Sequence, residues 1–243
     1  MARVLKKTET AAVSAEHDGT KILIAIPCMD MVPHQFAQSL LNLRKTSDTY
    51  YAFHANSLVY SSRNDFAANA IEKGYDRVLW LDSDMTFGPD LLERLNADMD
   101  EYGMGYVSAL AFKRKLPTSP CVYEMLTWVP GVAGNASATA KTYVDYPQDS
   151  LFPCAATGFG AVLVTTELMK AVWDRFGPPF NPMPNMGEDL SFCYRAGKLS
   201  RLLFCDSRVK CGHIGQYEYT ERDYLMVRAM AEAEKRAGTE GVK

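Results

Sequence analysis

The stretch RVLWLDSDMTFGPDLLERL, residues 77–95, decides how this chain is read. Val78-Leu79-Trp80-Leu81 is a short apolar run of the kind that forms a strand covered on both faces. It ends in Asp82-Ser83-Asp84, two carboxylates one residue apart, and Pro89 then opens a helical pattern, as proline does at a first helical position. Strand, acidic turn and helix in succession are the unit of an open α/β sheet, whose ligands bind outside the carboxyl ends of the strands. Acidic residues do not improve a core, so Asp82 and Asp84 are candidates to hold a ligand there. A capped turn is the plainer reading, since Asp and Ser are favoured at helix starts and turns.

The pattern repeats on either side. Residues 21–26 (KILIAI) read as a buried strand stopped by Pro27, residues 36–43 as a helix, and residues 50–54 as a second strand. Residues 63–71 read as a helix with Gly74 placed as its C-cap. Alternating strands and helices predict parallel βαβ units with right-handed crossovers. Further strands are expected at 106–112, 142–146, 161–164 and 202–206, with helices at 167–176 and 188–196. A Gly/Ala/Ser-rich loop is expected over 131–140. Pro178, Pro179, Pro182 and Pro184 make a rigid loop before the second of those helices. The fold class predicted is α/β, a mixed and mainly parallel Rossmann-like sheet with helices on both faces. Three segments are expected: a polar, flexible N-terminal arm over 1–20, one domain over 21–217, and an amphipathic C-terminal helix within 218–243.

With 243 residues, 47% of them hydrophobic, the chain can bury a sizeable core in a single domain. A formal charge of −3 gives no overall drive toward nucleic acid, although Lys113-Arg114-Lys115 is a local basic patch. No apolar run approaches the roughly 20 residues of a membrane span, and the first residues lack an apolar signal core, so the expected location is cytoplasmic. Cys28, Cys121, Cys154, Cys193, Cys205 and Cys211 include no C-x-x-C pair and read as reduced core residues. Cys205, Cys211 and His213 make the sharpest case for zinc, but their spacing matches no common zinc module.

Four stretches could carry chemistry. Asp82 and Asp84 could share a hard divalent cation, Mg²⁺ or Mn²⁺, which prefers oxygen ligands and bridges carboxylates to substrate phosphates. Gly187-Glu188-Asp189 opens a helix; its acids could merely complement the helix dipole or could supply a general base. His213, between Gly212 and Gly215, is either a core histidine or a metal ligand, and a histidine beside aspartate suits Mn²⁺ better than Mg²⁺. Ser61-Ser62-Arg63-Asn64 brings an arginine to a helix start, which is either a surface residue or an anion site.

Together these stretches resemble the GT-A glycosyltransferases of the family-two type, in order, from about residue 21 to residue 216. Ile24-Ala25-Ile26-Pro27 resembles the first strand that opens the nucleotide pocket, and Ser62-Arg63-Asn64 the Ala-Arg-Asn helix start. Leu81-Asp82-Ser83-Asp84 is similar to the Asp-x-Asp signature, and Thr157-Gly158-Phe159-Gly160 to the glycine-containing strand beside the donor sugar. Gly187-Glu188-Asp189 resembles the Glu-Asp acceptor-side motif, and His213 the terminal metal-binding histidine.

The resemblance implies a metal-dependent transferase that moves a sugar from a nucleoside-diphosphate sugar to an acceptor hydroxyl with inversion. In that scheme Asp82, Asp84 and His213 hold Mn²⁺ or Mg²⁺. Asp189 is the base, with Glu188 as its alternate. Pro27, Asp30, Arg63, Asn64, Ser83, Lys113, Arg114, Gly158 and Phe159 contact the donor. Pro27-Cys28-Met29-Asp30 stands where the family has Pro-Thr-Tyr-Asn, and no acidic residue matches the base reader near 52–56, so the nucleobase stays open. The Gln-x-x-Arg-Trp motif of processive synthases is absent. The acceptor is equally open: a glycan, a lipid-linked sugar, a protein or a modified nucleic acid base. The C-terminal helix reads most plainly as packed on its own domain, and could alternatively cover the site, make a homodimer contact or touch a membrane surface. A nucleotidyltransferase would need a Gly- and Lys-rich loop after the first strand, which is missing. A non-catalytic sugar-nucleotide-binding module would have no need of Asp82, Asp84, Asp189 and His213 together.

Overall fold

Residues 22–26 have no wet face: all are buried in β1 (Ile22–Cys28). Ile22, Ile24 and Ile26 enter one apolar layer with Leu79 and Leu81 of β3 (Arg77–Leu81), Phe36 of α1 (His34–Asn42) and Leu91 and Leu95 of α3 (Leu91–Tyr102). Leu23 and Ala25 enter the other. There they meet Val78 and Trp80 of β3, Phe66 of α2 (Val59–Glu72), Leu168 of α4 (Thr166–Phe176) and Phe192 of α5 (Glu188–Lys198). Side chains alternate from face to face along a strand, so an unbroken apolar run requires helices on both sides, and both sides have them. The computed structural model describes residues 19–46, 48–55, 57–131, 136–215 and 217–240.

The remaining strands of the main sheet are β2 (Thr49–Ala55), β4 (Met85–Phe87), β5 (Tyr106–Leu110), β8 (Leu151–Cys154), β10 (Ala161–Thr165) and β11 (Leu203–His213). The sheet has eight strands in the order β2-β1-β3-β10-β5-β11-β4, with β8 pairing β11. β2, β1, β3, β5 and β11 share one direction, and β10 lies antiparallel between β3 and β5. The α/β class and the mixed sheet are as the sequence predicts.

Several boundaries differ, each for a physical reason. α2 begins at Val59, so Arg63 stands in its second turn instead of at an exposed helix start. Pro89 lies just outside α3, whose N-cap is Asp90. A second sheet of three strands, in the order β7-β6-β9, is built from β6 (Val122–Val129), β7 (Ser137–Thr142) and β9 (Ala156–Thr157). β7 occupies the second half of the expected loop, and the strand expected at 142–146 ends at Thr142; residues 132–135 lie outside the described residues. Ser137-Ala138-Thr139-Ala140-Lys141-Thr142 has little apolar character, but pairing with β6 supplies its ladder, and cross-strand context overrides intrinsic preference in sheets. β11 runs on to His213 through an irregularity between Asp206 and Lys210.

Of the expected arm, residues 1–18 lie outside the described residues. The C-terminal helix is α6 (Glu221–Glu240), which packs Tyr224 against Phe112 and Tyr146 and takes a hydrogen bond from the Tyr146 hydroxyl on Glu221 (2.9 Å). Among the described residues no helix is long and apolar enough to cross a membrane. All six cysteines are free thiols.

One charged cluster is buried inside this frame. Arg208 donates to Asp98 of α3 (2.7 Å) and to Asp206 of β11 (2.7 Å), and the second oxygen of each carboxylate has no partner. Two buried carboxyls share one guanidinium. Burial and the neighbouring Asp206 push Asp98 up to about 7, against the pull of Arg208. A carboxyl raised in the folded state stabilises the fold while protonated and costs stability as it ionises. We therefore expect stability to fall by about 2–4 kcal/mol between pH 4 and pH 7 on account of this group, then to level off. Urea midpoints taken across that range should show the fall in the native chain, and Asp98→Asn should flatten it.

Candidate active site

Three chain segments converge at the carboxyl end of β3. The Asp82-Ser83-Asp84 turn is pinned by its own backbone: Asp82 N–H donates to Gly160 O (3.0 Å), and Asp84 O accepts from Ile214 N–H (2.7 Å). The reversed strand β10 brings Gly160 there. β11 brings the other partner, because its last three residues pair with β4 and set His213 opposite Met85, one residue past Asp84. A Cβ on Gly160 would lie 2.9 Å from the Met85 side chain, so the glycine allows this close approach.

His213 Nδ1 lies 2.8 Å from Phe112 O. A carbonyl only accepts, so Nδ1 carries the proton and, in the neutral ring, Nε2 presents a lone pair. That lone pair faces Asp84 Oδ2 at 3.4 Å, and Arg114 Nη1 reaches the same oxygen at 2.9 Å. Burial pushes Asp84 upward, but with Nε2 also protonated His213 donates to Oδ2 and, together with Arg114, holds the carboxyl below its ordinary range; once that proton leaves, the nitrogen lone pair is open to a cation. An imidazole lone pair and a carboxylate oxygen aimed at one another are a donor set for a cation. Arg114, half-exposed at 49%, neutralises Asp84 from the solvent side.

Asp82 is turned elsewhere. Its Oδ1 accepts from Arg63 Nη2 at 2.8 Å, and Arg63 Nε lies 3.6 Å from Glu188 Oε1. Arg63 is only 2% exposed and lies against the rings of Phe159 and Trp80, 5.0 and 5.9 Å from their centroids. Burial raises the Asp82 carboxyl, with Arg63 opposing. Among the described residues no three His, Cys, Asp or Glu side chains converge as a ready-made metal cage. The structure pairs Asp84 with His213 and directs Asp82 to Arg63, where the sequence suggests a set of three. Mg²⁺ and Mn²⁺ commonly take one or two protein ligands and complete their shell with water and phosphate oxygens, so the pair fits such an ion.

Glu188 and Asp189 open α5 behind Gly187. Asp189 Oδ1 accepts from Leu190 N–H (2.7 Å), while its Oδ2 lies 3.9 Å from the point a Cβ on Gly158 would occupy. Burial first, then the charge of Glu188, pushes Asp189 up to about 6. The loop ahead of α5 is fixed by Asn64, which accepts from Phe180 N–H (2.9 Å) and donates to Asn181 Oδ1 (2.9 Å). Arg195 adds a bond to Pro179 O (2.8 Å).

The expected donor residues therefore divide. Ser83, Arg114 and Gly158 lie at the cleft, and Asp30 lies exposed in the loop after β1. Pro27 is buried in β1, Phe159 sits in an aromatic cluster with Tyr106, Phe180 and Phe192, and the Asn64 amide is occupied by the loop. Sequence reasoning missed the wall made by Cys121 and Tyr123. Gly158 N–H donates to Cys121 O (2.9 Å), and the charges of Asp189 act on both side chains. The alternation of aromatic and branched residues through Val122–Val129 was the available signal for β6.

No protein-family model matches the chain, and no curated protein matches it. Solved structures do. The A197 protein from STIV is 18% identical over 80% of this chain and 86% of that one, with a TM-score of 0.59. GalNAc-T7, solved with UDP, GalNAc and Mn²⁺, is 10% identical, with a TM-score of 0.57 over 86% of this chain and 48% of its own. The fold is GT-A-like. The chain spans about half the length of the GalNAc-T7 chain. In this GT-A-like frame, the cleft between β3, β11 and α5 sits at the carboxyl ends of parallel strands, where open sheets bind ligands.

Arg63→Met leaves two partly buried carboxylates without their cation, and a loss of about 2–3 kcal/mol in stability is expected. Chemical denaturation checks this, and Arg63→Lys should recover part of the loss.

Proposed function

We propose that this chain is a glycosyltransferase that moves a sugar from a nucleoside-diphosphate sugar to an acceptor hydroxyl with inversion, dependent on Mn²⁺ or Mg²⁺. The observation that carries the proposal is the approach of His213 Nε2 to Asp84 Oδ2, at 3.4 Å, in a GT-A-like cleft that also holds Asp189. The GalNAc-T7 structure, which contains UDP and Mn²⁺, supports the same reading.

Asp84 and His213 would hold the cation, with Asp82 beside them for metal-bound water or ribose. Bound there, the ion supplies charge neutralisation to the departing diphosphate. Arg114, released from Asp84, swings onto a phosphate oxygen. Asp189 takes the proton from the acceptor hydroxyl: a carboxyl raised to about 6 is ionised at neutral pH and more basic than an ordinary aspartate. Glu188 contributes through its charge, keeping Asp189 basic, and through Arg63, which ties it to Asp82. Ser83 and Gly158 shape the donor side, with Pro27 and Asp30 at the entrance to the base pocket. Phe159 and Asn64 serve that site from behind, as the ring under Arg63 and the strut of the loop before α5.

Calorimetry with UDP-, GDP-, TDP- and CMP-linked sugars tests this reading, with Mn²⁺ and without. One nucleotide should bind only with metal, and Asp84→Ala should abolish that binding; no response to any nucleotide would sink the proposal. Where turnover is measurable, the rate should rise through about pH 6 as Asp189 ionises and then flatten. Asp189→Asn should lower kcat by about 10²–10⁴-fold while leaving donor binding near native.

A further inference from the structure

Lys113 and Arg114 are adjacent in sequence but serve different parts of the cleft. Arg114 reaches Asp84 and, at 3.4 Å, Ile214 O, on the diphosphate side. The Lys113 ammonium instead lies 5.2 Å from the centre of the Tyr123 ring and acts on the Cys121 thiol, which faces Gly158 and Asp189. Its backbone is held by a bond from Lys113 N–H to Ser119 O (2.9 Å) and another from the Thr118 hydroxyl to Lys113 O (2.7 Å). Arg63 and Arg114, the other cations of the cleft, are paired with carboxylates. Among the described residues, none pairs with Lys113.

Resting on the glycosyltransferase reading, we infer that Lys113, seated on Tyr123, is a specificity-determining residue that receives a carboxylate or phosphate carried by one of the sugars at the reaction centre. The diphosphate is not its ligand. A lysine over an aromatic ring gains little when it stays wet, so it can leave the ring at small cost when an anion arrives. A compact, hydrated point charge on a flexible stem suits a group whose orientation varies. Tyr123 and Cys121 cannot themselves neutralise an anion: burial pushes the thiol up to about 12 and raises the phenol, so both are neutral. On this wall Lys113 alone carries a positive charge, and Asp189 nearby is negative. An anionic sugar bound here therefore needs the lysine, and a neutral one does not.

The anion could belong to the donor sugar or to the acceptor, and the experiment separates the two. The full chain, Lys113→Met and Lys113→Arg are titrated with Mn²⁺ and UDP, then with UDP-glucose against UDP-glucuronate. Glucose against glucose 6-phosphate follows, in the presence of UDP and Mn²⁺. If GDP proves to be the nucleotide bound, GDP-mannose and GDP-mannuronate replace the uridine pair. The native chain should prefer the anionic member of one pair by about tenfold. Lys113→Met should lose that preference while binding the nucleoside diphosphate as the native chain does, and Lys113→Arg should keep most of it. Preference in the first pair assigns the anion to the donor, and in the second to the acceptor. Weaker binding of the nucleoside diphosphate itself in Lys113→Met, or no preference in either pair, overturns the inference and leaves the glycosyltransferase reading standing. A native chain that binds no nucleotide overturns both.

Discussion

The arrangement of the cleft depends on one buried guanidinium. Arg63 reaches from α2 to the end of β3 and the start of α5, holding Asp82 at 2.8 Å and Glu188 at 3.6 Å on a floor of Phe159 and Trp80. Without a cation between them, four carboxylates, Asp82, Asp84, Glu188 and Asp189, would crowd one end of a sheet and repel. With it, two are fixed in place, and the remaining two sit in different environments. Asp84 is drawn below its ordinary range by His213 and Arg114 against its own burial, while Asp189 is raised. Separate environments for neighbouring acids are what the proposed cation site and base require of one cleft.

Topology supplies the rest. β10 runs against its neighbours, so its entrance lies at the same end of the sheet as the exit of β3, which brings Gly160 to Asp82. β11 is long enough to leave the sheet's interior, pass the irregularity at residues 206–210 and still pair with β4, which brings His213 to Asp84. The same strand carries Asp206, so one of the two buried acids and the candidate metal ligand share one backbone.

Much of this was legible in the sequence. An apolar run ending in Asp82-Ser83-Asp84, and a glycine followed by Glu188-Asp189, place side chains by local rules: strand, turn and helix start. The order of these pieces along the chain carried the fold. What stayed hidden depends on partners distant in sequence. Nothing near Arg63 says that its guanidinium faces inward, because Asp82 and Glu188 lie 19 and 125 positions further on. β7 is too polar to announce itself and exists through its ladder with β6. Asn64 looks like part of a ligand motif but braces a loop 116 residues away. Local spacing predicts which residues gather at the end of a strand; it does not say which of them neutralise one another.

The link from β11 to α6 bears directly on His213. His213 and Tyr219 exchange both backbone hydrogen bonds, at 2.9 Å each, and Thr220 with Asp223 starts α6 immediately afterwards. Tyr224 then anchors that helix in the core. The histidine is thus clamped between β4 on one side and the root of the C-terminal helix on the other. The position of the imidazole is therefore tied, through a short run of backbone and side-chain bonds, to the first turn of α6.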